Sequence, residues 1–173
     1  MAQELICQVD EQDRLIGSCL RGEAHRLGLR HRAVHILVFN QKGEVFMQKR
    51  APSKDVNPGL WDTSAAGHVD FGESYDDCAK RELHEELGIV DTLRLDTLFK
   101  LQASADTGWE YVQVYRLLHL GALFINTSEI SEGRWFAPAD VDAWLQQSSQ
   151  DLTSSFQAIW RQFSAVSHRQ SPI

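Results

Sequence analysis

Cysteine is scarce in this chain of 173 residues, and no long apolar run occurs. The three cysteines, Cys7, Cys19 and Cys78, are odd in number and lack the paired spacing of a zinc site or a disulfide framework. No stretch approaches the roughly 18 apolar residues of a membrane span. The first residues carry acids and lack the apolar run of a signal peptide. These absences predict a protein of a reduced, cytoplasmic compartment that does not bind membranes.

Basic residues are also in the minority, with 17 Lys and Arg against 24 Asp and Glu, and the net charge is −7. A general nucleic-acid binder would normally present a basic surface, so we expect no nucleic-acid partner. The apolar fraction of 43% is enough for a substantial core. Because there are no repeats, low-complexity tracts or obvious linkers, residues 1–173 are predicted to form a single domain.

The most informative segment is residues 67–89, which read GHVDFGESYDDCAKRELHEELGI. Ser74 with Asp77 three residues later is a typical helix start, and Gly88 is a typical helix end. The residues between them are therefore predicted to form a helix of about four turns. Nine residues of this segment stand out by their type and spacing: Gly67, Glu73, Arg81, Glu82, Leu83, Glu85, Glu86, Gly88 and Ile89.

Three carboxylates share one face of this predicted helix. At about 100° per residue, Glu82, Glu85 and Glu86 lie together, beside an apolar stripe that must pack on a core. Like charges at this spacing repel one another, and more strongly when they are partly buried. Solvent could relieve the repulsion, and so could a hard divalent cation such as Mg²⁺ or Mn²⁺, which prefers oxygen ligands.

The whole segment resembles the Nudix box, G-x5-E-x7-R-E-U-x-E-E-x-G-U with U apolar, at every defining position. The resemblance implies an enzyme that hydrolyses a pyrophosphate bond with Mg²⁺ as its cofactor and Mn²⁺ as the alternative. It implies an α/β fold, the Nudix-type α/β/α sandwich with a mixed sheet. It also implies that Glu73 and Arg81 form an ion pair that braces loop against helix. The implied metal ligands are Glu82, Glu85, Glu86 and the carbonyl oxygen of Ala66, the residue before the box glycine.

The segment before the box is similar to the isopentenyl-diphosphate-isomerase-like branch of the family. The similarity lies in the run Arg50-Ala-Pro-Ser-Lys54 and in Pro58-Gly59-Leu60-Trp61 before Gly67-His68. It implies that Arg50 and Lys54 contact a substrate diphosphate, for which a guanidinium and an ammonium are suited.

Two departures from the isomerase pattern favour a hydrolase. Ala66 stands where isomerases have a cysteine, and Val112 stands where they have a second carboxylate after Glu110. Acid–base chemistry needs its proton carriers. An isomerase-like enzyme and a non-catalytic Nudix-fold binding module are the alternatives.

Several assignments stay open at this level. His25, His31, His68 and Glu110 resemble the isomerase metal ligands, and they could form a second metal site or a structural hydrogen-bonded group. Glu82 is the first candidate for the residue that orients or deprotonates water, and Glu110 is the second. The oligomeric state, monomer or homodimer, is also open.

The substrate is predicted to be a small-molecule diphosphate, with a nucleoside diphosphate or a related nucleotide derivative as the best class. A prenyl or sugar diphosphate is the alternative. Trp61 is a candidate for stacking on a nucleobase, and so is Trp109, because ring faces accept any base. Packing in the core or at its rim is the other interpretation of both rings.

The rest of the pattern predicts mixed strands with helices on either side. An N-terminal strand extension is expected over about residues 1–30. Strands are predicted at 4–9, 14–20, 33–39, 44–48, 60–66, 92–101, 109–118 and 134–136, and helices at 140–147 and 152–163, with a short helix or loop at 22–28.

Overall fold

The fold is described from a computed structural model that covers residues 4–169. These residues form nine strands and four α-helices. The strands are β1 (Leu5–Val9), β2 (Leu15–Leu20), β3 (His31–Phe39), β4 (Val45–Arg50), β5 (Trp61–Asp62), β6 (Ala65–His68), β7 (Leu95–Leu101), β8 (Glu110–Leu118) and β9 (Ile130–Phe136). The helices are α1 (Arg21–Leu27), α2 (Tyr75–Leu87), α3 (Pro138–Gln147) and α4 (Ser154–Arg169).

Strand β3 is the centre of the mixed sheet. It pairs antiparallel with β1, β4 and β6, and parallel with β8. The parallel register runs from His31 beside Glu110 to Phe39 beside Leu118. This register places two chemically important side chains, His31 and Glu110, at the same end of the sheet.

The two faces of β3 are buried against different helices, as its nearly continuous apolar sequence requires. Val34, Ile36 and Val38 pack in a core with α2, whereas Ala33 and Leu37 pack in a second core with α4. The predicted α/β/α sandwich is therefore confirmed. The helical residues of the two cores are Cys78, Ala79, Leu83 and Leu87 from α2, and Phe156, Ile159 and Trp160 from α4.

Helix α2 has the bounds and caps that its sequence predicts. The Ser74 hydroxyl accepts a hydrogen bond from the backbone N–H of Asp77, which satisfies a free donor of the first turn. Gly88 ends the helix with φ of 68°, and its N–H donates to the carbonyl of His84. The helix is therefore fixed at both ends, and its carboxylates keep a defined direction.

Some element bounds differ from the sequence prediction. Residues 92–94 precede β7 instead of starting it, and β9 begins at Ile130, four residues before the predicted strand. The sequence of β9 is too polar for a strand to be predicted over its whole length. Its residues are held in the sheet by pairing with β4. The uncertain segment 22–28 contains the helix α1. Among the described residues, no helix combines the length and hydropathy needed to cross a membrane.

Candidate active site

One cavity of about 510 Å³ is lined by predicted site residues that come from separate parts of the chain. This volume is within the usual range for small-molecule sites, about 300 to 1,000 Å³. Acidic residues come from α2 and also from other elements, among them Asp62 of β5 and Glu110 of β8, while the end of β4 and the loop that follows it supply the basic residues Arg50 and Lys54. The lining includes Arg50, Lys54, Ala66, Gly67, Arg81, Glu82, Glu85 and Glu86.

The α2 carboxylates are largely withdrawn from water. Glu82 is 8% exposed and Glu86 is 7% exposed, while about half of the Glu85 side chain is exposed. Burial raises the pKa of Glu82 to about 7, against the attraction of Arg81. Burial and the charge of Glu82 together raise the pKa of Glu86 to about 8. Ionising both of these neighbouring acids is costly. A divalent cation bound by them would stabilise their ionised forms.

Gly67 is required by the close approach of β6 to α2. A Cβ atom at this position would lie 1.9 Å from Oε1 of Glu82. Any larger residue would therefore push the Glu82 carboxylate out of its place. The glycine keeps the backbone of Ala66 and Gly67 next to the carboxylates, which suits the predicted participation of the Ala66 carbonyl.

Arg81 holds the loop and the carboxylates in one network. It donates two hydrogen bonds to the two oxygens of Glu73, both at 2.9 Å, and one to the carbonyl of His68 at 3.1 Å. Its remaining nitrogen donates to Glu82 at 2.6 Å and to Glu85 at 3.3 Å. The predicted ion pair of Glu73 and Arg81 is present, and Arg81 also pairs with Glu85, four residues further along α2.

Gln48 is a site residue that sequence reasoning missed. It is buried on β4, and its Nε2 donates to Oε2 of Glu86 at 2.6 Å and to the carbonyl of Ser64 at 3.2 Å. The backbone N–H of Ala66 approaches the same Glu86 oxygen at 3.4 Å. One oxygen of Glu86 is thus held in a fixed direction. A buried amide in the otherwise apolar start of this strand, Val-Phe-Met-Gln, is the signal that could have found it.

Arg50 and Lys54, the residues predicted to contact a diphosphate, line the same cavity and already have partners within the protein. Arg50 donates from Nε to the carbonyl of Val56 at 3.0 Å, and its Nη1 lies 3.8 Å from Asp62. Lys54 forms an ion pair with Glu129. Both cations therefore have weak or partly exposed partners that substrate phosphates could replace.

The four residues of the possible second metal site also meet. His25, His31, His68 and Glu110 each present one ligand atom, and these atoms lie within 4.8 Å of one another. The Nε2 atom of His31 is buried without a hydrogen-bond partner among the described residues. Nitrogen and carboxylate donors with an unsatisfied buried atom fit a divalent transition metal.

Electrostatics within this histidine cluster can also be explained without a metal. Burial alone would lower the pKa of His68, but hydrogen bonds with Glu110 and Glu4 outweigh it and raise that pKa to about 9. Burial would raise the pKa of Glu110, but the hydrogen bond with His68 and the proximity of His31, whose Nε2 lies 3.5 Å away, hold that pKa well below its usual range. Burial and the neighbouring histidines lower the pKa of His25 to about 4.

The tryptophans require a correction. Trp61 is 8% exposed, and its ring packs against Phe136 and Trp144 with centroid distances of 5.5 and 5.6 Å. Neither Trp61 nor Trp109 is among the described residues that line the cavity. The ring of Trp109 lies beside Gly28 and under Arg30. The stacking role predicted for Trp61 does not fit its position, because aromatic neighbours already enclose the ring.

The chain resembles known proteins over most of its length. A family model described as the NUDIX domain matches residues 29–156, which include all of α2. A Pseudomonas aeruginosa protein named as an uncharacterized Nudix hydrolase is 44% identical over 136 residues, covering 78% of this chain and 79% of that protein. An isopentenyl-diphosphate Delta-isomerase of Photorhabdus laumondii is 35% identical over 135 residues, covering 76% of each. A crystal structure of a Deinococcus radiodurans protein aligns with a TM-score of 0.81 at 28% identity, covering 92% of this chain and 98% of the other.

Proposed function

The chain belongs to the Nudix hydrolase family, and we propose that it hydrolyses the pyrophosphate bond of a nucleoside diphosphate or a related nucleotide derivative with Mg²⁺ as its cofactor. One observation carries the proposal. Two largely buried carboxylates, Glu82 and Glu86, share a cavity with two cations, Arg50 and Lys54. This arrangement suits a substrate whose phosphates are held by the basic side chains and reach the carboxylates through a metal.

The residues present fit a divalent cation. Glu82, Glu85, Glu86 and the Ala66 carbonyl supply the oxygen donors that Mg²⁺ prefers, with Mn²⁺ as a possible substitute. Burial raises the pKa values of Glu82 and Glu86 in spite of the nearby charges of Arg81 and Lys54, so additional positive charge at this pair would be stabilising. When bound, the metal would neutralise negative charge on the phosphates and make an attacking water more acidic.

The basic residues would bind and orient the diphosphate. Arg50 offers a planar guanidinium that can donate two parallel hydrogen bonds, and Lys54 offers a mobile ammonium. In the free protein these groups face Asp62 and Glu129. Phosphate oxygens would replace part of these contacts, and the scissile bond would then be held next to α2.

Glu82 is the best candidate to accept the proton of the attacking water. In the absence of a metal, burial raises its pKa to about 7, so its carboxylate is more basic than that of Glu110. Arg81 fixes one of its oxygens at 2.6 Å and leaves the other available. Glu110, the second candidate, is already hydrogen-bonded to His68 at 3.1 Å and has a lowered pKa. It is therefore a weaker base than Glu82.

Two other functions have less support. An isomerase needs a thiol where this chain has Ala66 and a second acid where it has Val112, although a relative at 35% identity is named as an isomerase. A binding module without activity would have no need for the complete set of carboxylates on α2. The intact set, held by Arg81 and Gln48, favours hydrolysis over both.

The test is a screen for hydrolysis of nucleoside di- and triphosphates, nucleotide sugars, dinucleoside polyphosphates, coenzyme A and isopentenyl diphosphate, with the products separated by chromatography because many of these compounds release no free phosphate. Each compound is assayed with Mg²⁺ and with EDTA. Glu85→Gln and Glu86→Gln should abolish the Mg²⁺-dependent hydrolysis, whereas replacement of Glu11, an exposed acid outside the cavity lining, by glutamine should not. Formation of an allylic product without phosphate release would establish the isomerase. Binding of Mg²⁺ by folded protein without any turnover would favour the binding module.

A further inference from the structure

Gln48 is the buried amide that contacts Glu86, and its place in the sheet determines where that amide can reach. Strand β4 is paired on both sides at this residue, with Asp62 of β5 and with Gly133 of β9. Gln48 itself is 3% exposed. A buried side chain on a strand with two neighbours has little freedom to move, so its contact with α2 is set by the fold.

The two acceptors around Gln48 determine which way its amide group points. One is Oε2 of Glu86, 2.6 Å from Nε2, and the other is the carbonyl oxygen of Ser64, 3.2 Å from Nε2. The opposite orientation would place the amide oxygen against two acceptors, so the NH₂ group faces them. Ser64 is fixed in turn, because its N–H donates to the carbonyl of Ile36 and its hydroxyl accepts from the N–H of Val38.

Glu86 therefore has one oxygen occupied by the protein and one oxygen left for a ligand. The NH₂ group of Gln48 and the backbone N–H of Ala66, at 3.4 Å, both approach Oε2. This assignment holds whether or not Glu86 is ionised, since a neutral acid would carry its proton on Oε1, the oxygen that these two donors do not contact. A cation at this carboxylate would be bound through Oε1 alone.

The other buried carboxylate of α2 is restricted in the same way. Arg81 donates to Oε1 of Glu82 at 2.6 Å, which leaves Oε2 for a metal. The more exposed Glu85 accepts a longer hydrogen bond from the same Arg81 nitrogen, at 3.3 Å. Protein donors thus oppose the binding of a cation through both oxygens of either buried carboxylate.

Coordination through single oxygens suits a small cation better than a large one. Mg²⁺ takes about six oxygen ligands at about 2.0 to 2.1 Å and keeps several waters, whereas Ca²⁺ takes about six to eight at about 2.3 to 2.6 Å and often binds both oxygens of a carboxylate. One oxygen each from Glu82, Glu85, Glu86 and the Ala66 carbonyl, completed by water, suits Mg²⁺. To gain a further ligand from Glu86, Ca²⁺ would have to take Oε2 away from Gln48.

We propose that Gln48 is a positioning residue that makes Glu86 a one-oxygen metal ligand and thereby favours Mg²⁺ over Ca²⁺ at this site. Gln48 does not touch the cation and acts only through Glu86. The inference rests on the proposed function, because it takes the carboxylates of α2 as the metal ligands. It goes beyond that function by assigning the choice of ion to a hydrogen bond from β4.

The experiment measures thermal unfolding of the substrate-free protein at rising concentrations of Mg²⁺ and, separately, of Ca²⁺. The rise in Tm gives the dissociation constant of each ion, including a weak one. The variant is Gln48→Met, which keeps a side chain of similar length and bulk and removes its donor. Gln48→Asn, which keeps an amide but is one methylene too short to reach Glu86, is the second variant if Gln48→Met does not fold.

Gln113→Met is the matched control. Gln113 is a half-buried glutamine on β8, a strand that is paired with β3 and β7 at this residue. Its Nε2 donates to the carbonyl of Phe99 at 2.9 Å, and it is not among the described residues that line the cavity. The control therefore loses a comparable hydrogen bond in the sheet without affecting Glu86.

The ratio of the Ca²⁺ dissociation constant to the Mg²⁺ dissociation constant tests the role of Gln48. This ratio should fall by about tenfold in Gln48→Met or Gln48→Asn, the effect of one hydrogen bond to a charged group, and should stay at the wild-type value in Gln113→Met. A purely structural role would weaken the binding of both ions alike. An unchanged ratio in the Gln48 variants, or an equal fall in Gln113→Met, overturns the inference and leaves the proposed function standing. Absence of any stabilisation of the wild type by Mg²⁺ overturns the proposed metal site and the inference with it.

Discussion

Replacing Glu86 by glutamine should make the metal-free protein more stable at high pH. Glu86 is almost fully buried beside Glu82, and burial raises its pKa from an ordinary 4.5 to about 8. The folded protein therefore keeps this proton up to about pH 8, whereas the unfolded chain releases it near pH 4.5. Between these values the folded state binds more protons, so a rise in pH lowers the free energy of unfolding of the wild type.

The magnitude follows from the same difference. One pKa unit corresponds to about 1.4 kcal/mol, so the ionised Glu86 costs up to about 5 kcal/mol above pH 8. Glutamine removes this cost and can keep the hydrogen bond from Gln48, but it loses the attraction of Lys54. We expect a net gain of about 2 to 4 kcal/mol at pH 9, or roughly 5 to 15 °C in Tm, and almost none at pH 5.

The assay is urea unfolding in EDTA at pH 5, 7 and 9, with Glu85→Gln as the control. Glu85 is on the same helix with about half of its side chain in solvent, so its replacement should change stability much less. Added Mg²⁺ should stabilise the wild type at pH 9 and should stabilise Glu86→Gln much less. A Glu86→Gln protein that is less stable than the wild type at pH 9, or a difference that does not change between pH 5 and pH 9, would refute the reasoning.

Three further substitutions have defined outcomes. Gly67→Ala should fold but displace the Glu82 carboxylate, because the new Cβ would lie 1.9 Å from its Oε1; calorimetry should show weaker Mg²⁺ binding, and unchanged binding would contradict the account. Arg81→Lys loses the two-pronged contact with Glu73 and should lower the free energy of unfolding by about 1 to 3 kcal/mol, measured in urea. Ser74→Ala removes the helix cap and should cost about 1 kcal/mol without changing KM; a changed KM would mean that the cap also shapes the site.

The part of the site on α2 could be predicted because its signals are local. Ser74 and Gly88 mark the ends of the helix through hydrogen bonds with residues three or four positions away. The 3.6-residue period then places Glu82 and Glu86 on one side. The contact between Glu73 and Arg81 spans only eight residues and follows once the helix is fixed.

The opposite wall of the cavity could not be predicted in this way, because strand pairing brings it there. Gln48 reaches Glu86 across 38 residues of sequence, and His35 meets Thr63 across 28. Both contacts depend on the registers of β4 and β6 beside β3, which no local pattern specifies. The position of Trp61 was decided by packing, since Phe136 and Trp144 enclose a ring that the sequence alone could place in a core or against a ligand.

The most direct test of the central claim is hydrolysis in water labelled with ¹⁸O, using the diphosphate that the screen shows to be turned over. Mass spectrometry of the products locates the bond that is cleaved. The account predicts Mg²⁺-dependent incorporation of one ¹⁸O into a phosphate product, no label in the organic group, and loss of the reaction in Glu86→Gln. Label in the organic alcohol, or turnover that persists in EDTA or in Glu86→Gln, would contradict it.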